Sequence, residues 1–500
     1  MAVNKIIIGD NQLTFENDAI TEIQEETAVS IDGDELFADQ FVPICRYRVY
    51  LRYVFKPTNK DRFITKDGLV LCGHYNYNLR LLPYGTKIKF YADGASVGVY
   101  YLENVERVGG ELYQLNCVSD IGMMTNQAHK GGLYFGESFT SVVADILGTE
   151  YKYQIADDVA AVQVFGRLPY STRRENLHQL VMAYGVSVNH TNDGDLLFTF
   201  LATSTPQTIP DNRVYANGSV NYSDVASRVE VVEHSYYYYS SVAEETLYDN
   251  TSSNAADNDI VIFKQPIKAD TIRAASGNLT ILEASPNYAK VSGVGILVGK
   301  PYTHVTRIVA KDNPAATVEN VISVDNATLV TLVNSENVCA RLAQYYFNAI
   351  TVSSAVINEG ERCGKRYILH NAFGEYSTGF LAKMSSQVSG ITKSNCEFVA
   401  NYTPTGAGAA FSHVEIITSA RGSWTVPAAV FEKETPNIRV VCIGKGSKGA
   451  DGASGKKGTK GTGTSAGAAG GAGGAGGAGG EGGKILSATL DCTGILLLSL

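Results

Sequence analysis

Alternation dominates the first quarter of the chain. In Ile44-Cys45-Arg46-Tyr47-Arg48-Val49-Tyr50-Leu51-Arg52-Tyr53-Val54-Phe55, apolar or aromatic residues alternate with basic ones. A period of two sends successive side chains to opposite faces, so the run predicts a half-buried strand with one wet face. Segments 69–82, 87–91, 97–108 and 111–118 continue in the same style, and Asp67-Gly68, Asp93-Gly94 and Gly109-Gly110 supply turns at hairpin spacing. Short strands in such a row predict a small β-barrel or sandwich over residues 1–125.

The period then changes. Phe139, Val142, Val143, Ile146 and Leu147 fall at i, i+3, i+4, i+7 and i+8, the stripe of an amphipathic helix with Ser138 as N-cap and Gly148 at its end. Thr172-Arg173-Arg174-Glu175 has the form of a capping box. Leu177, Leu180, Val181 and Tyr184 make the stripe of that second helix, and Gly185 ends it. Residues 186–191 and 196–200 flank Asn192-Asp193-Gly194-Asp195 and predict a β-hairpin. The stretch 126–210 therefore predicts an α/β unit.

Strand patterns return over 211–402, with 228–234 leading into the run Tyr236, Tyr237, Tyr238, Tyr239. A third helix is expected over 336–350, capped by Ser335 and lined by Val338, Leu342, Tyr345, Tyr346 and Ala349. Strands are expected again at 366–369 and 396–401.

Residues 403–444 predict a linker, beginning Thr403-Pro404-Thr405-Gly406-Ala407-Gly408, and a short β segment around Trp424-Thr425-Val426-Pro427 and 438–444. Residues 445–500 form a glycine-rich tail. Glycine recurs at every third position from Gly446 to Gly461, then the pattern becomes Gly-Ala-Gly from Gly471 to Gly479. A collagen helix fits poorly, because no proline lies between Lys445 and Lys484 to preset its backbone. The closing stretch 485–500 is apolar enough to require a partner or a continuation.

Composition agrees with a β-rich protein. Tyrosine, at 29 residues, far exceeds the single tryptophan, and its ring suits strands and half-wet surfaces. A net charge of −9 does not suit sequence-specific grip on a phosphate backbone. The eight cysteines are scattered without CxxC pairs or zinc spacing, which predicts isolated buried thiols. The N-terminus carries no signal-peptide pattern, and no stretch of about twenty apolar residues predicts stable membrane insertion.

No catalytic pattern emerges, so no catalytic, cofactor-binding or metal residue is expected and no cofactor is called for. His178 lies beside the apolar stripe of its helix, where a surface or interface histidine is expected. The pairs Asp157-Asp158 and Glu244-Glu245 contain adjacent carboxylates, which diverge on a strand and fit solvated turns better than a glycosidase pair. Arg173-Arg174 opposes the dipole at a helix start, so either a nearby acidic partner such as Glu175 or a subunit interface must favour it. Strand alternation would place two rings of the 236–239 run on each face, a core pair and an interface pair rather than a sugar platform.

An ordered series of segments resembles a known class. It comprises 134–147, then Val164-Phe165-Gly166-Arg167-Leu168-Pro169-Tyr170-Ser171-Thr172-Arg173-Arg174-Glu175-Asn176-Leu177, then 229–236, 337–346 and 390–397. The series resembles the tail-tip and baseplate-hub proteins of bacteriophages of Gram-positive hosts, over roughly 1–402. The C-terminal region resembles glycine-rich ends of tail fibres. The resemblance implies a mainly β fold with inserted α/β units, namely two small related β-barrels plus an α/β insertion, with a glycine-rich C-terminal extension. It implies a homotrimeric, non-enzymatic hub in the virion, assembled in the host cytoplasm and placed at the tail tip. Its partners would be distal tail, tape-measure and tube proteins, with a fibre or host-surface receptor reached through the C-terminal region. The alternatives are a tail-associated cell-wall hydrolase and a secreted adhesin with a glycine-rich stalk.

Overall fold

The strand Lys5–Ile8 buries Ile6 and Ile8, and Leu112–Val118 buries every second residue, so alternation in the sequence becomes alternation in burial. The structure is a computed structural model. It describes residues 4–9, 13–16, 20–28, 40–46, 62–64, 70–72, 79 and 82–400, the last with gaps at 93, 110–111, 192, 202–204, 216–217, 223–224, 349 and 390. It also describes 424–425, 437–443, 485–491 and 497–498. The fold is mainly β, with α/β material set between strands. Two units are distinct, Met1–Val414 and Glu415–Leu500.

A 13-stranded sheet runs through the first unit and has two lobes. The N-terminal lobe orders its strands Ile20–Ala28, Gln40–Arg46, Leu112–Val118, Ala95–Gly109, Lys87–Ala92, Lys5–Ile8 and Leu13–Glu16. Ile6, Ile8, Phe15, Ile23, Ile88, Phe90, Leu102 and Leu115 are among the residues of its core. The C-terminal lobe orders Ser219–Tyr222, Ile350–Ile357, Ile391–Ala400 and Tyr376–Ser389, with Arg366–His370 pairing with the last and Gln207–Thr208 pairing in turn with Arg366–His370. The lobes join where Ile20–Ala28 runs antiparallel to Tyr376–Ser389, from Ile23 opposite Val388 to Ala28 opposite Lys383. The first unit thus closes on itself, a strand near its beginning against one near its end. Of the run 44–55, residues 44–46 belong to a strand, and the remainder lies outside the described residues.

Five α-helices are described: α1 (Asp120–Met123), α2 (Phe139–Leu147), α3 (Asp157–Ala160), α4 (Arg173–Tyr184) and α5 (Ser335–Tyr346). Ser138 caps α2 by accepting from the Ser141 amide, and Gly148 follows with a positive φ of 62°. Thr172 and Glu175 form the expected capping box on α4, and Gly185 ends it in the left-handed region. Such a cap is worth about 1 kcal/mol. The hairpin Val186–His190 with Leu196–Phe200 packs below, and a third strand, Tyr153–Ile155, joins it in parallel. Phe139, Val143, Ile146, Leu177, Leu180, Val188 and Phe198 share one buried cluster, which extends into α5 and the C-terminal lobe.

The third helix departs from expectation at both ends. Ser335 does not cap α5 but is its first residue, wholly buried, and donates its hydroxyl to Glu233 at 2.7 Å. Asn334 holds the cap position, and its side chain accepts from the Thr331 amide in the preceding turn. The helix stops at Tyr346, because Ile350 opens the next strand. Val338 and Leu342 are buried as expected, joined by Cys339 and Ala343; Tyr345 and Tyr346 are partly buried, and Ala349 lies outside the described residues.

Between Arg228–Tyr237 and Thr303–Asp312, which pair along ten residues, the chain makes an excursion over 238–302. Two three-stranded sheets fill it, Glu245–Asp249, Gly295–Gly299 and Arg273–Gly277 in one, Ala256–Ile262, Tyr288–Gly293 and Thr280–Ala284 in the other. Phe263, Ile267, Leu279, Ala289, Val291 and Leu297 form a separate core there.

In the second unit, Asn437–Ile443 pairs antiparallel with Ile485–Asp491, and Trp424–Thr425 with Leu497–Leu498. The apolar closing stretch therefore finds strand partners within the chain. The linker 403–408 and the glycine tract lie outside the described residues. Cys117, Cys339, Cys363 and Cys396 are buried thiols.

Candidate functional site

The segment singled out in the sequence, Gln163–Leu168, forms a strand buried at five of its six positions, and one of those five is Arg167. Pairing with Gly132–Ser138 fixes the strand, and Gly166 lets it pass close to the loop before α5. Gly166 has φ of 112°, and a Cβ there would sit 2.7 Å from the Thr328 carbonyl oxygen. Only glycine fits both constraints.

The Arg167 guanidinium reaches out of this strand into the 238–302 excursion. Its Nε donates to Asn287 Oδ1 at 2.9 Å, Nη1 to the Lys264 carbonyl at 3.1 Å and Nη2 to the Phe263 carbonyl at 3.1 Å. Asn287, itself wholly buried, donates back to the carbonyls of Leu168 at 2.8 Å and Lys130 at 3.2 Å. The Arg167 amide and carbonyl meanwhile bond Thr328. Burial pulls the guanidinium below its ordinary pKa, and Tyr236 opposes that shift. A planar fork with five donors can serve three acceptors at once, which an ammonium cannot do with the same geometry.

A ring stack adjoins this tie. Tyr236 lies on His304 at 4.7 Å between centroids, and His304 on His234 at 5.1 Å, both nearly parallel. His234 Nδ1 is 2.9 Å from His304 Nε2, and its Nε2 is 3.0 Å from the Asp325 carbonyl. Desolvation comes first in holding both imidazoles below their ordinary pKa; His304 adds to the effect on His234, and Arg167 to that on His304. Beside them Glu233, 4% exposed, receives Arg307 at 2.6 Å and Ser335 at 2.7 Å. The polar groups of this junction hold elements together.

The candidates read from the sequence are dispersed. His178 is half-buried on α4. Asp157 and Asp158 are exposed in the first turn of the four-residue α3, and Asp158 Oδ1 accepts from the Val159 amide. Glu244 pairs with Arg273 at 2.7 Å, while Glu245 accepts from Gln265. Arg173 pairs with Glu150 at 2.6 Å, not with Glu175, and donates to the Leu147 carbonyl at 3.2 Å. Its charge thus serves the C-terminus of α2, where carbonyls need donors and the dipole favours a cation. Arg174 reaches Thr125 at 3.4 Å.

The tyrosine run does not place two rings on each strand face. The strand ends at Tyr237, so Tyr238 turns onto Tyr302 beneath Lys268 and Tyr239 is 45% exposed. Arg167 and Asn287 were missed as candidates, although a lone arginine inside an apolar strand is a signal. Among the described residues, no group of three or more His, Cys, Asp or Glu could hold a metal ion, and no helix is long and apolar enough to cross a membrane.

No family model matches the chain, and no curated protein matches it. Solved structures do. The 43 kDa tail protein of prophage MuSo2 from Shewanella oneidensis is 9% identical with a TM-score of 0.48, covering 80% of this chain and 98% of that one. A tail protein from Neisseria meningitidis gives the same identity and score, over 80% of this chain and 96% of its own. These structural neighbours are tail proteins. A third, the prophage tail protein gp18 from Listeria monocytogenes, is 9% identical with a TM-score of 0.42 over 80% and 94% of the two chains.

Proposed function

We propose that the chain is a structural protein of a phage tail, a homotrimeric hub at the distal end. There it joins the tail tube to host-recognition components during adsorption and genome delivery. The observation that carries this is the pair of β lobes joined edge to edge through Ile20–Ala28 and Tyr376–Ser389. A chain with two such lobes supplies six to a ring when three copies close about an axis, and cyclic closure leaves no free interface. The ordered segments that resemble tail-tip hubs include the strand of Arg167, which ties the 238–302 excursion to the 126–210 region.

The protein works by holding shape rather than by catalysis. Arg167, Glu233 and His234 are each bonded to a distant segment of the chain, at Phe263, Ser335 and Asp325, and a hub needs such rigidity. Its partners are the distal tail, tape-measure and tube proteins, and the unit Glu415–Leu500 serves contact with a fibre or the host surface. Electron microscopy of intact tails labelled with gold-conjugated antibody to this chain tests the location. Label at the distal end is expected; label along the tube or at the head-proximal end would contradict the proposal.

A further inference from the structure

The 238–302 excursion leaves the strand frame after Tyr237 and returns at Thr303, and two histidines sit at that neck. His234 and His304 lie on the two stem strands, opposite Thr306 and Tyr236, and are joined by the 2.9 Å contact between Nδ1 and Nε2. We propose that this pair is an acid-sensitive catch, and that protonating it frees the excursion from the frame while both stay folded. The catch acts within one chain and needs neither a trimer nor a tail.

The proton count fixes how it works. His234 gives its Nε2–H to the Asp325 carbonyl, so its Nδ1 can only accept, and His304 Nε2–H is the donor. One lone pair remains on the pair, at His304 Nδ1, and His304 is exposed enough for a proton to reach it. A first proton there keeps the bond but makes His304 a cation. A second has to take His234 Nδ1, and the bond across the neck is then lost, because neither ring can accept.

The surroundings decide what the charge does. Arg167, from the strand Gln163–Leu168, is near enough to His304 to disfavour its charging. That same guanidinium holds the excursion through Asn287 and the carbonyls of Phe263 and Lys264. A second cation beside it therefore works against the fork. Tyr236 lays its ring on His304 and offsets part of the repulsion, and Asp325, before α5, favours charge on His234. Glu233 and Arg307 lie on the opposite face of the stem strands and pair with each other. Burial is the leading influence on both imidazoles, so each binds its proton more weakly closed than open, and acid favours the open form.

The excursion can move as a body, because Phe263, Leu279, Val291 and Leu297 belong to a core of its own. Its Lys130–Glu283 tie does not respond to the same acid. Lys130 holds Glu283 below the ordinary carboxylate value, so that pair stays ionised while the histidines titrate below about pH 6.5.

Hydroxyl-radical footprinting of the full chain, read by mass spectrometry at about pH 7 and about pH 5, tests the catch. Tyr288 is buried against Tyr170 and beneath Lys130, so its oxidation reports release. Exposed Phe373 serves as the dose reference, while Phe139 and Phe198 report the core of the frame and Phe263 that of the excursion. Oxidation of Tyr288 relative to Phe373 is expected to rise by about threefold or more at the lower pH, within the limit of tenfold per pH unit for each proton. The three core phenylalanines should stay protected. In a chain carrying both His304→Phe and His234→Gln, Tyr288 should be oxidised equally at the two pH values. No rise at Tyr288 would overturn the proposal, as would a rise shared by Phe139, Phe198 and Phe263, or one kept in full by the double variant.

Discussion

The 126–200 region and the 238–302 excursion both leave a strand frame and return to it, but they are held by opposite means. The first rests chiefly on a shared apolar core. Phe139, Val143, Leu177, Leu180, Val188 and Phe198 are fully buried, and their cluster runs on into α5 and the C-terminal lobe. The second keeps a small core to itself and meets the rest through the Arg167 fork, Asn287, the exposed Lys130–Glu283 pair and a few ring contacts such as Tyr170 on Tyr288. An element that shares its core cannot be removed without collapse. One that is tied by directed polar contacts can be loosened while remaining folded.

The largest effect expected follows from the shared core. Leu180→Asp puts a carboxylate where the native side chain is fully buried, at a cost above about 4 kcal/mol. Loss of cooperative melting in circular dichroism is the expected result. A melting curve like the wild type's would mean that this helix face is not the sealed one.

Arg167→Ala comes next, and it separates the two regions. It strands Asn287 Oδ1 and the carbonyls of Lys264 and Phe263, a loss of about 2–4 kcal/mol. Because the excursion has its own core, hydrogen exchange should rise at the Gln163–Leu168 strand and the 263–264 backbone, with the Tyr288–Gly293 strand still protected. Arg167→Lys should recover less than half of the loss, lacking the fork. Uniform loss of protection across both regions would merge them into one cooperative block.

A smaller effect is expected from pH at the ring stack. His234 and His304 titrate below the ordinary histidine value, so between those depressed values and about pH 6.5 the unfolded chain binds more protons than the folded one. Stability is therefore complete above about pH 7 and falls on acidification towards pH 5, by roughly 2–4 °C in melting temperature. Asp145, held down chiefly by its bond to His129, loses its contribution only at lower pH, outside this window. His304→Phe keeps a ring against Tyr236 and should flatten the slope; an unchanged slope would assign it elsewhere.

The smallest effect on folding is expected from deleting 415–500. The remaining unit should melt within about 1 °C of the full chain while adsorption or fibre attachment is lost. Aggregation of the shortened chain would place that unit in the hub core.

The contrast also explains what the sequence disclosed. Helices α2 and α4 and the hairpin below them were legible because their signals are local: Ser138, the Thr172–Glu175 box, Gly185 and a stripe at helical spacing. The start of α5 was misread because Ser335 has a capping residue's chemistry but spends its hydroxyl on Glu233, about a hundred positions earlier. The excursion was illegible as such, since its limits depend on Tyr237 lying opposite Thr303. The seam of Ile23 with Val388 joins the two ends of a unit, and no local pattern announces it.

The central claim is that two lobes per chain build a ring of three. The mass of the full chain in solution, measured by multi-angle light scattering across a concentration series, tests it most directly. A particle of three chains, persisting on dilution, is predicted. A monodisperse monomer at the highest concentration would contradict the account.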